Sequence, residues 1–380
     1  KYCRQVGKAH FTRRAGATGS ILSEPYFSQS YAEARRRFMA AASAVDATVF
    51  TYALDAASTD PLSIDIAIVG AAHDPALVVS SGVHGVEGYF GSAVQLALLE
   101  RLREARRKEN IRYVLIHAVN PYGFAHLRRV NEDNVDLNRN FIQNIEDYAG
   151  APHGYARLNH LLNPQSPPSR FEPFRAKALW QIWRKGLAAL KETIAAGQYE
   201  YPPGLFYGGK VPCASTRIMQ DQCDAWLAAS RHVVHIDFHT GLGPFGGYRL
   251  LYAEPVRSAQ RKWYAETFGV ECVEPLAQPD GTAYRVSGQW GAWLQQHFRE
   301  RDYRFVGAEF GTYNLIRMLS ALRAENCAHH YCATNTSAYH RAKMELLECF
   351  CPASPSWRHS VIQSGLRIID QGSRALLASK

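Results

Sequence analysis

Short apolar runs rich in β-branched residues alternate along this chain with longer stretches of helical periodicity, and that alternation limits the possible folds more than any other feature. The runs are SIDIAIVG (63–70), ALVVSSG (76–82), RYVLIHAVN (112–120), HVVHIDFHT (232–240), YRLLYA (248–253) and RFVGAEFGT (304–312). Helix-like stretches lie at 88–107, 172–197, 216–230 and 287–300. Near-continuous apolar strands separated by helices predict an α/β fold, a mixed and mostly parallel sheet with helices on both faces. In such sheets ligands collect beyond the carboxyl ends of the strands, so polar residues placed there carry the functional information.

The alternation lapses between about 142 and 212, where NPQSPPSRFEPF and GQYEYPPGLFYGGK flank a basic amphipathic helix. This segment reads as an insertion able to form a rim over a site, with a surface excursion of no special role as the alternative. Residues 1–24 are expected to form a basic tail. The first 23 carry Lys1, Arg4, Lys8, Arg13 and Arg14 and no acid, so an organelle-targeting segment is the other reading. With 47% apolar residues in 380, the chain can bury a large core. No apolar run approaches the ~18–20 residues that cross a bilayer, and no export signal opens the sequence, so a cytoplasmic protein without a membrane partner is expected. The net charge of +9 is dispersed rather than gathered into a stripe with exposed aromatics, which argues against a nucleic-acid partner. The cysteines form no disulfide framework, and CAHHYC (327–332) lacks the spacing of zinc knuckles; both read as reduced packing residues.

Four clusters hold the candidate chemistry. His84 and Glu87 follow ALVVSS in a glycine-rich turn, where Gly82, Gly85 and Gly88 permit tight backbone geometry. An imidazole and a carboxylate supply two-thirds of the hydrolytic zinc set of two histidines and one glutamate. Asp136, Asn138 and Arg139 sit in NPYGFAHLRRVNEDNVDLNRNF (120–141), where Arg139 offers a planar fork suited to a carboxylate and Asn138 an amide donor beside it. A salt-bridged turn is the bland alternative. In HVVHIDFHT the period of two puts His235, Asp237 and His239 on one face. His239, at the carboxyl end, suits a third ligand; Asp237 could orient it, and His235 reads as a packed core histidine. Glu309 interrupts an apolar strand, as a general base or as a carboxylate buried against an arginine. Tyr284, in TAYRVSGQW, could donate a phenolic hydrogen bond to substrate or simply pack.

Taken in order, HxxE, then NP-G with an arginine and DLNRNF, then D-x-HTG, then a strand bearing a glutamate, the set resembles the zinc carboxypeptidase superfamily. That superfamily includes the aspartoacylase and succinylglutamate desuccinylase deacylases, and the likeness is closest to a bacterial branch described largely as a domain of unknown function. The resemblance spans about residues 25–375 and implies one metallohydrolase domain holding one zinc ion. It implies His84, Glu87 and His239 as zinc ligands and Glu309 as the base. It further implies Arg129, with Arg128 as its rival, as the residue polarising the scissile carbonyl, Asn138 and Arg139 as the grip on a free carboxylate, and Tyr284 as a substrate cap. The expected activity is zinc-dependent hydrolysis of an amide beside a free carboxylate, carboxypeptidase-like on short peptides. The alternatives are an N-acyl amino acid deacylase and a non-catalytic zinc-binding protein.

Overall fold

The structure, a computed structural model, describes residues 24–54, 61–105, 110–169, 171–253, 258–276 and 287–378. Its centre is an eight-stranded sheet of β1 (Thr48–Ala53), β2 (Ser63–Val69), β3 (Ala76–Ser81), β4 (Arg112–His117), β5 (His232–Thr240), β6 (Tyr248–Tyr252), β7 (Val273–Pro275) and β8 (Asp302–Phe310). The strand order is β1-β2-β4-β3-β5-β8-β6-β7. The interior pairs β3/β4, β3/β5 and β5/β8 and the edge pair β6/β7 are parallel; β1/β2, β2/β4 and β6/β8 are antiparallel. Every residue of β3 and β4 is buried, as expected of parallel strands covered on both faces.

Two apolar layers provide that cover. On one face Leu77, Val79, Val234, Ile236 and Phe238 pack against α1 (Tyr31–Ser43), α2 (Gly88–Ala105), α8 (Ser258–Phe268) and α12 (Pro355–Ala378). On the other, Val78, Val114, Ile116 and Val233 pack against α7 (Ala214–Leu227) and α9 (Trp290–His297). A short α3 (Pro121–Ala125) follows β4, and α4 (Tyr155–Leu162), α5 (Phe174–Lys185) and α6 (Leu187–Ala195) lie within the 142–212 segment. After β8 the chain forms α10 (Leu315–Tyr331) and α11 (Ser337–Phe350), which pack on each other.

The fold class agrees with the sequence expectation, and the differences have local causes. The helix expected over 172–197 is two helices, because Gly186 adopts φ +78 and breaks the run between α5 and α6. β1 was not expected: it is an edge strand with an irregular exposure pattern, so it lacks an unbroken apolar run. β7 has only three residues. The proposed basic tail lies outside the described residues except for Glu24. Among the described residues, Cys213, Cys223, Cys272, Cys327, Cys332, Cys349 and Cys351 are free thiols. No helix there is long and apolar enough to cross a membrane.

The turn after β3 depends on one close approach. A Cβ on Gly85 would lie 2.1–2.3 Å from backbone atoms of Gly123 and Phe124, which belong to α3. Gly85→Ala is therefore expected to cost about 2 kcal/mol or more of stability, read as a lower urea midpoint. An unchanged midpoint would show that the two loops separate freely.

Candidate active site

Three chain segments meet at the carboxyl edge of the sheet. β3 ends at Ser81, Gly82 turns the chain at φ +69, and His84 leads into a single turn, Gly85–Glu87, that runs directly into α2. The second segment is tied to the first through its backbone: the N–H groups of Gly85 and Val86 donate to the carbonyls of Arg129 and Arg128 at 3.1 and 2.8 Å. Asp136 then caps a short turn, its Oδ1 accepting from Asn138 N–H at 3.1 Å. The third segment is the end of β5, whose register sets His239 beside Glu309 of β8.

Glu87 is the centre of this convergence. Its Oε1 lies 2.9 Å from His84 Nδ1 and its Oε2 lies 3.3 Å from His239 Nδ1. Oε2 also accepts the Thr240 N–H at 3.0 Å, which holds the carboxylate plane against β5. The far nitrogen of each imidazole meets another buried carboxylate: His239 Nε2 is 2.7 Å from Asp237 Oδ2, and His84 Nε2 is 3.2 Å from Asp136 Oδ1. His84 Nε2 also lies 2.7 Å from Arg129 Nη2, while Arg129 Nε donates to Asp136 Oδ2 at 2.9 Å. When His84 Nδ1 serves as a metal ligand, Nε2 carries the proton, and of these two neighbours only Asp136 can accept it.

Burial and charge oppose each other here, and charge wins at the three carboxylates. Burial pushes Glu87 up, but His84 and then His239 bring it well below the ordinary range. Asp136 is likewise held down against its burial by Arg129, Arg139 and His84. Asp237 is lowered against its burial, chiefly by His239. His239 shows the reverse: burial disfavours its charge, yet Asp237 and Glu87 raise it well above the ordinary histidine value. Glu309 differs from the other carboxylates. Burial first, and then the neighbouring Glu87 charge, push it up to about 7. Its Oε1 accepts the Leu242 N–H at 2.9 Å.

Asn138, Arg139, Arg129 and Glu309 line the same cavity as His84, Glu87 and His239. Arg139 is anchored by the carbonyls of Ala195 and Asn138, at 2.7 and 2.9 Å, and packs 5.7 Å from the centre of the Phe206 ring. Asn138 Oδ1 accepts the Trp290 N–H at 3.0 Å, which leaves the amide NH2 as its donor group. Arg128 points elsewhere, to Glu325, Asn134 and Asn326 at 2.9, 2.9 and 3.2 Å. His235 is buried behind the site between Ser80 Oγ (2.7 Å) and Tyr303 OH (2.6 Å), and burial pushes it down to about 4. Tyr284 lies outside the described residues. Cys327, His329, His330 and Cys332 enter no metal-ligating group among the described residues. Two contributors were not assigned a role from sequence. Asp136 was visible only as a polar residue two positions before Asn138, and Phe206, which faces both Arg129 and Arg139, lies in a loop without a motif.

These side chains fit a divalent metal. Atoms sharing a tetrahedral ion at ~2.1 Å lie roughly 3.4 Å apart; one ligand atom from each of the three residues falls within 4.8 Å of the others, and the two Nδ1 atoms lie 2.9 and 3.3 Å from different oxygens of Glu87. Both imidazoles present Nδ1 inward while a carboxylate faces Nε2, an arrangement that fixes the tautomer a metal needs. Asp237→Asn should therefore weaken zinc binding by about 10- to 100-fold in a competitive chelator titration. Unchanged affinity would remove Asp237 from the site.

The comparisons with known proteins agree with this architecture. Carboxypeptidase A from Helicoverpa armigera superimposes with a TM-score of 0.52 at 13% identity, over 92% of this chain and 74% of that one. Bovine thrombin-activatable fibrinolysis inhibitor, solved in complex with tick carboxypeptidase inhibitor, gives a TM-score of 0.53 at 11% identity, over 93% and 99%. At these identities the likeness is one of fold. No curated protein matches the sequence. A family model covers residues 27–364, and the chain belongs to that family, described as protein of unknown function DUF2817.

Proposed function

We propose that the protein is a zinc-dependent hydrolase that cleaves an amide bond next to a free carboxylate. The observation that supports this reading is the meeting, in one cavity, of a His–Glu–His set, a carboxylate of raised pKa and two arginines. Zinc held by His84, Glu87 and His239 would acidify a water and polarise a carbonyl oxygen. Glu309 takes the proton from the attacking water and returns it to the leaving amine, a role suited to a carboxylate whose pKa lies near neutrality. Arg129 donates to the oxygen that becomes anionic, a contribution of about 3 kcal/mol for one such donor. Asn138 and Arg139 hold the substrate carboxylate and so set which amide reaches Glu309. Carboxypeptidase-like action on short peptides is the primary reading. Deacylation of N-acyl amino acids is favoured by an aliphatic lobe that opens off the same cavity.

Parallel panels of blocked dipeptides and N-acyl amino acids test the reading, with metal content measured on the same preparation. Hydrolysis in either panel supports it, and stoichiometric zinc with no turnover in both would favour the non-catalytic alternative. Glu309→Gln should lower kcat by about 10²- to 10⁴-fold while zinc stoichiometry stays the same; full activity in that variant would exclude Glu309 as the base.

The pH dependence has a definite sign. Glu309 works only when ionised, so kcat/KM should fall as the medium is acidified. Because a bound cation stabilises the carboxylate, the midpoint of that limb should lie below the value of about 7 set in the metal-free protein. A rate that rises on acidification would contradict this assignment.

A further inference from the structure

The cavity continues beyond the polar end into a lobe whose walls are almost wholly aliphatic. Leu158 and Leu162 of α4, Ile182 of α5 and Leu190 of α6 form one side, and Met318 and Leu319 of α10 form another. Among the described residues, Gln181 and Lys191 are the polar side chains in this lobe. A lobe of this composition offers a substrate little beyond removal of apolar surface from water. Aliphatic chain rather than peptide backbone is its natural occupant, since backbone N–H and C=O groups would enter it without partners.

The helix that walls the lobe is apolar on its outer side as well. Phe174, Ala178 and Ile182 of α5 face inward, whereas Ala176, Leu179, Trp180 and Trp183 recur at i, i+3, i+4 and i+7 on the solvent face. Leu179, Trp180 and Trp183 are 56%, 51% and 82% exposed, and the stripe continues to Phe171 before the helix and Leu187 after it. Tryptophan joins an apolar ring to a polar N–H and is enriched where one side is apolar and the other wet. Charge specifies which environment: Arg175, Lys177, Arg184 and Lys185 lie on α5, where Lys177 pairs with Glu172 at 3.4 Å, and no acid occurs from Pro173 to Lys191. An apolar helical stripe edged by cations matches the surface of an anionic lipid layer. Leu187 belongs to both surfaces, exposed outside and lining the lobe within, so the outer stripe and the inner wall adjoin at the junction of α5 and α6.

We propose that the substrate is a fatty N-acyl amino acid, its acyl chain seated in the α4–α6/α10 lobe, and that the protein collects it from an anionic lipid surface through the outer face of α5. This rests on, and narrows, the deacylase form of the hydrolase reading. It also departs from the expectation of no membrane partner, which rested on the lack of a bilayer-crossing run and of an export signal.

Binding of acetyl-, octanoyl-, dodecanoyl- and hexadecanoylglycine to the zinc-loaded Glu309→Gln protein tests the first half by calorimetry below the micellar range. Affinity should rise roughly two- to fourfold per methylene until the lobe is filled, and Ile182→Trp should abolish that gain while leaving acetylglycine binding unchanged. Equal affinity for acetyl- and dodecanoylglycine overturns the proposal. Chain-length-dependent binding without hydrolysis by the wild-type protein would uphold the substrate class and refute the reaction; hydrolysis of short peptides alone would do the opposite. Flotation with phosphatidylcholine vesicles, with and without phosphatidylglycerol, tests the second half. The wild-type protein should float with the anionic vesicles, less so at high salt, and the Trp180→Ser/Trp183→Ser variant should stay in solution with unchanged acetylglycine binding. Absence of flotation, or a dimer in sedimentation that this double substitution dissociates, overturns the lipid-surface assignment.

Discussion

The architecture at the carboxyl edge depends on the placement of one carboxylate, Glu87, between two imidazoles. Its two oxygens each face an Nδ1, its plane is held by the Thr240 N–H, and both imidazoles are held from behind by Asp136 and Asp237. Three carboxylates this deeply buried would repel one another at prohibitive cost in a low dielectric without positive charge among them. Arg129 supplies part of it, bonded to Asp136 and within 3.3 Å of Glu87. His239 supplies more, because Asp237 and Glu87 favour its charged form. A divalent cation between Glu87 and the two Nδ1 atoms would provide the same compensation with a fixed coordination geometry.

The fold assigns separate duties to separate elements. Parallel pairing of β3, β5 and β8 fixes the relative heights of the His84 loop, His239 and Glu309, because a slip of one residue in either ladder would turn these side chains to the opposite face. The backbone link from Gly85 and Val86 to residues 128 and 129 brings Arg129 to the same point. By contrast, α4–α6 and α10 contribute none of the candidate metal ligands and instead wall the lobe beside them. On the proposed reading, reaction type and substrate class are encoded in different stretches of chain.

Much of this was legible in the residues. Unbroken apolar runs marked the interior strands, and the period of two placed His235, Asp237 and His239 on one face with His239 at the carboxyl end. The same pattern could not separate Arg128 from Arg129, which are adjacent in sequence and diverge because one pairs with Glu325 on α10 and the other with Asp136. Nor could it expose the role of Asp136, since the carboxylate–imidazole contact joins loops 52 residues apart in sequence and no local spacing encodes it. The break at Gly186 was concealed by helix-forming sequence on both sides, and with it the two-faced character of α5.

On the proposed reading, His84, Glu87 and His239 together hold one metal ion. X-ray absorption spectroscopy on zinc-loaded protein, paired with the His84→Ala and His239→Ala variants, tests it most directly. One zinc per chain is expected, with nitrogen and oxygen neighbours at ~2.0–2.2 Å, two imidazoles in the scattering pattern, and loss of stoichiometric binding in both variants. Sulfur neighbours at ~2.3 Å, or stoichiometric zinc that survives both substitutions, would contradict it.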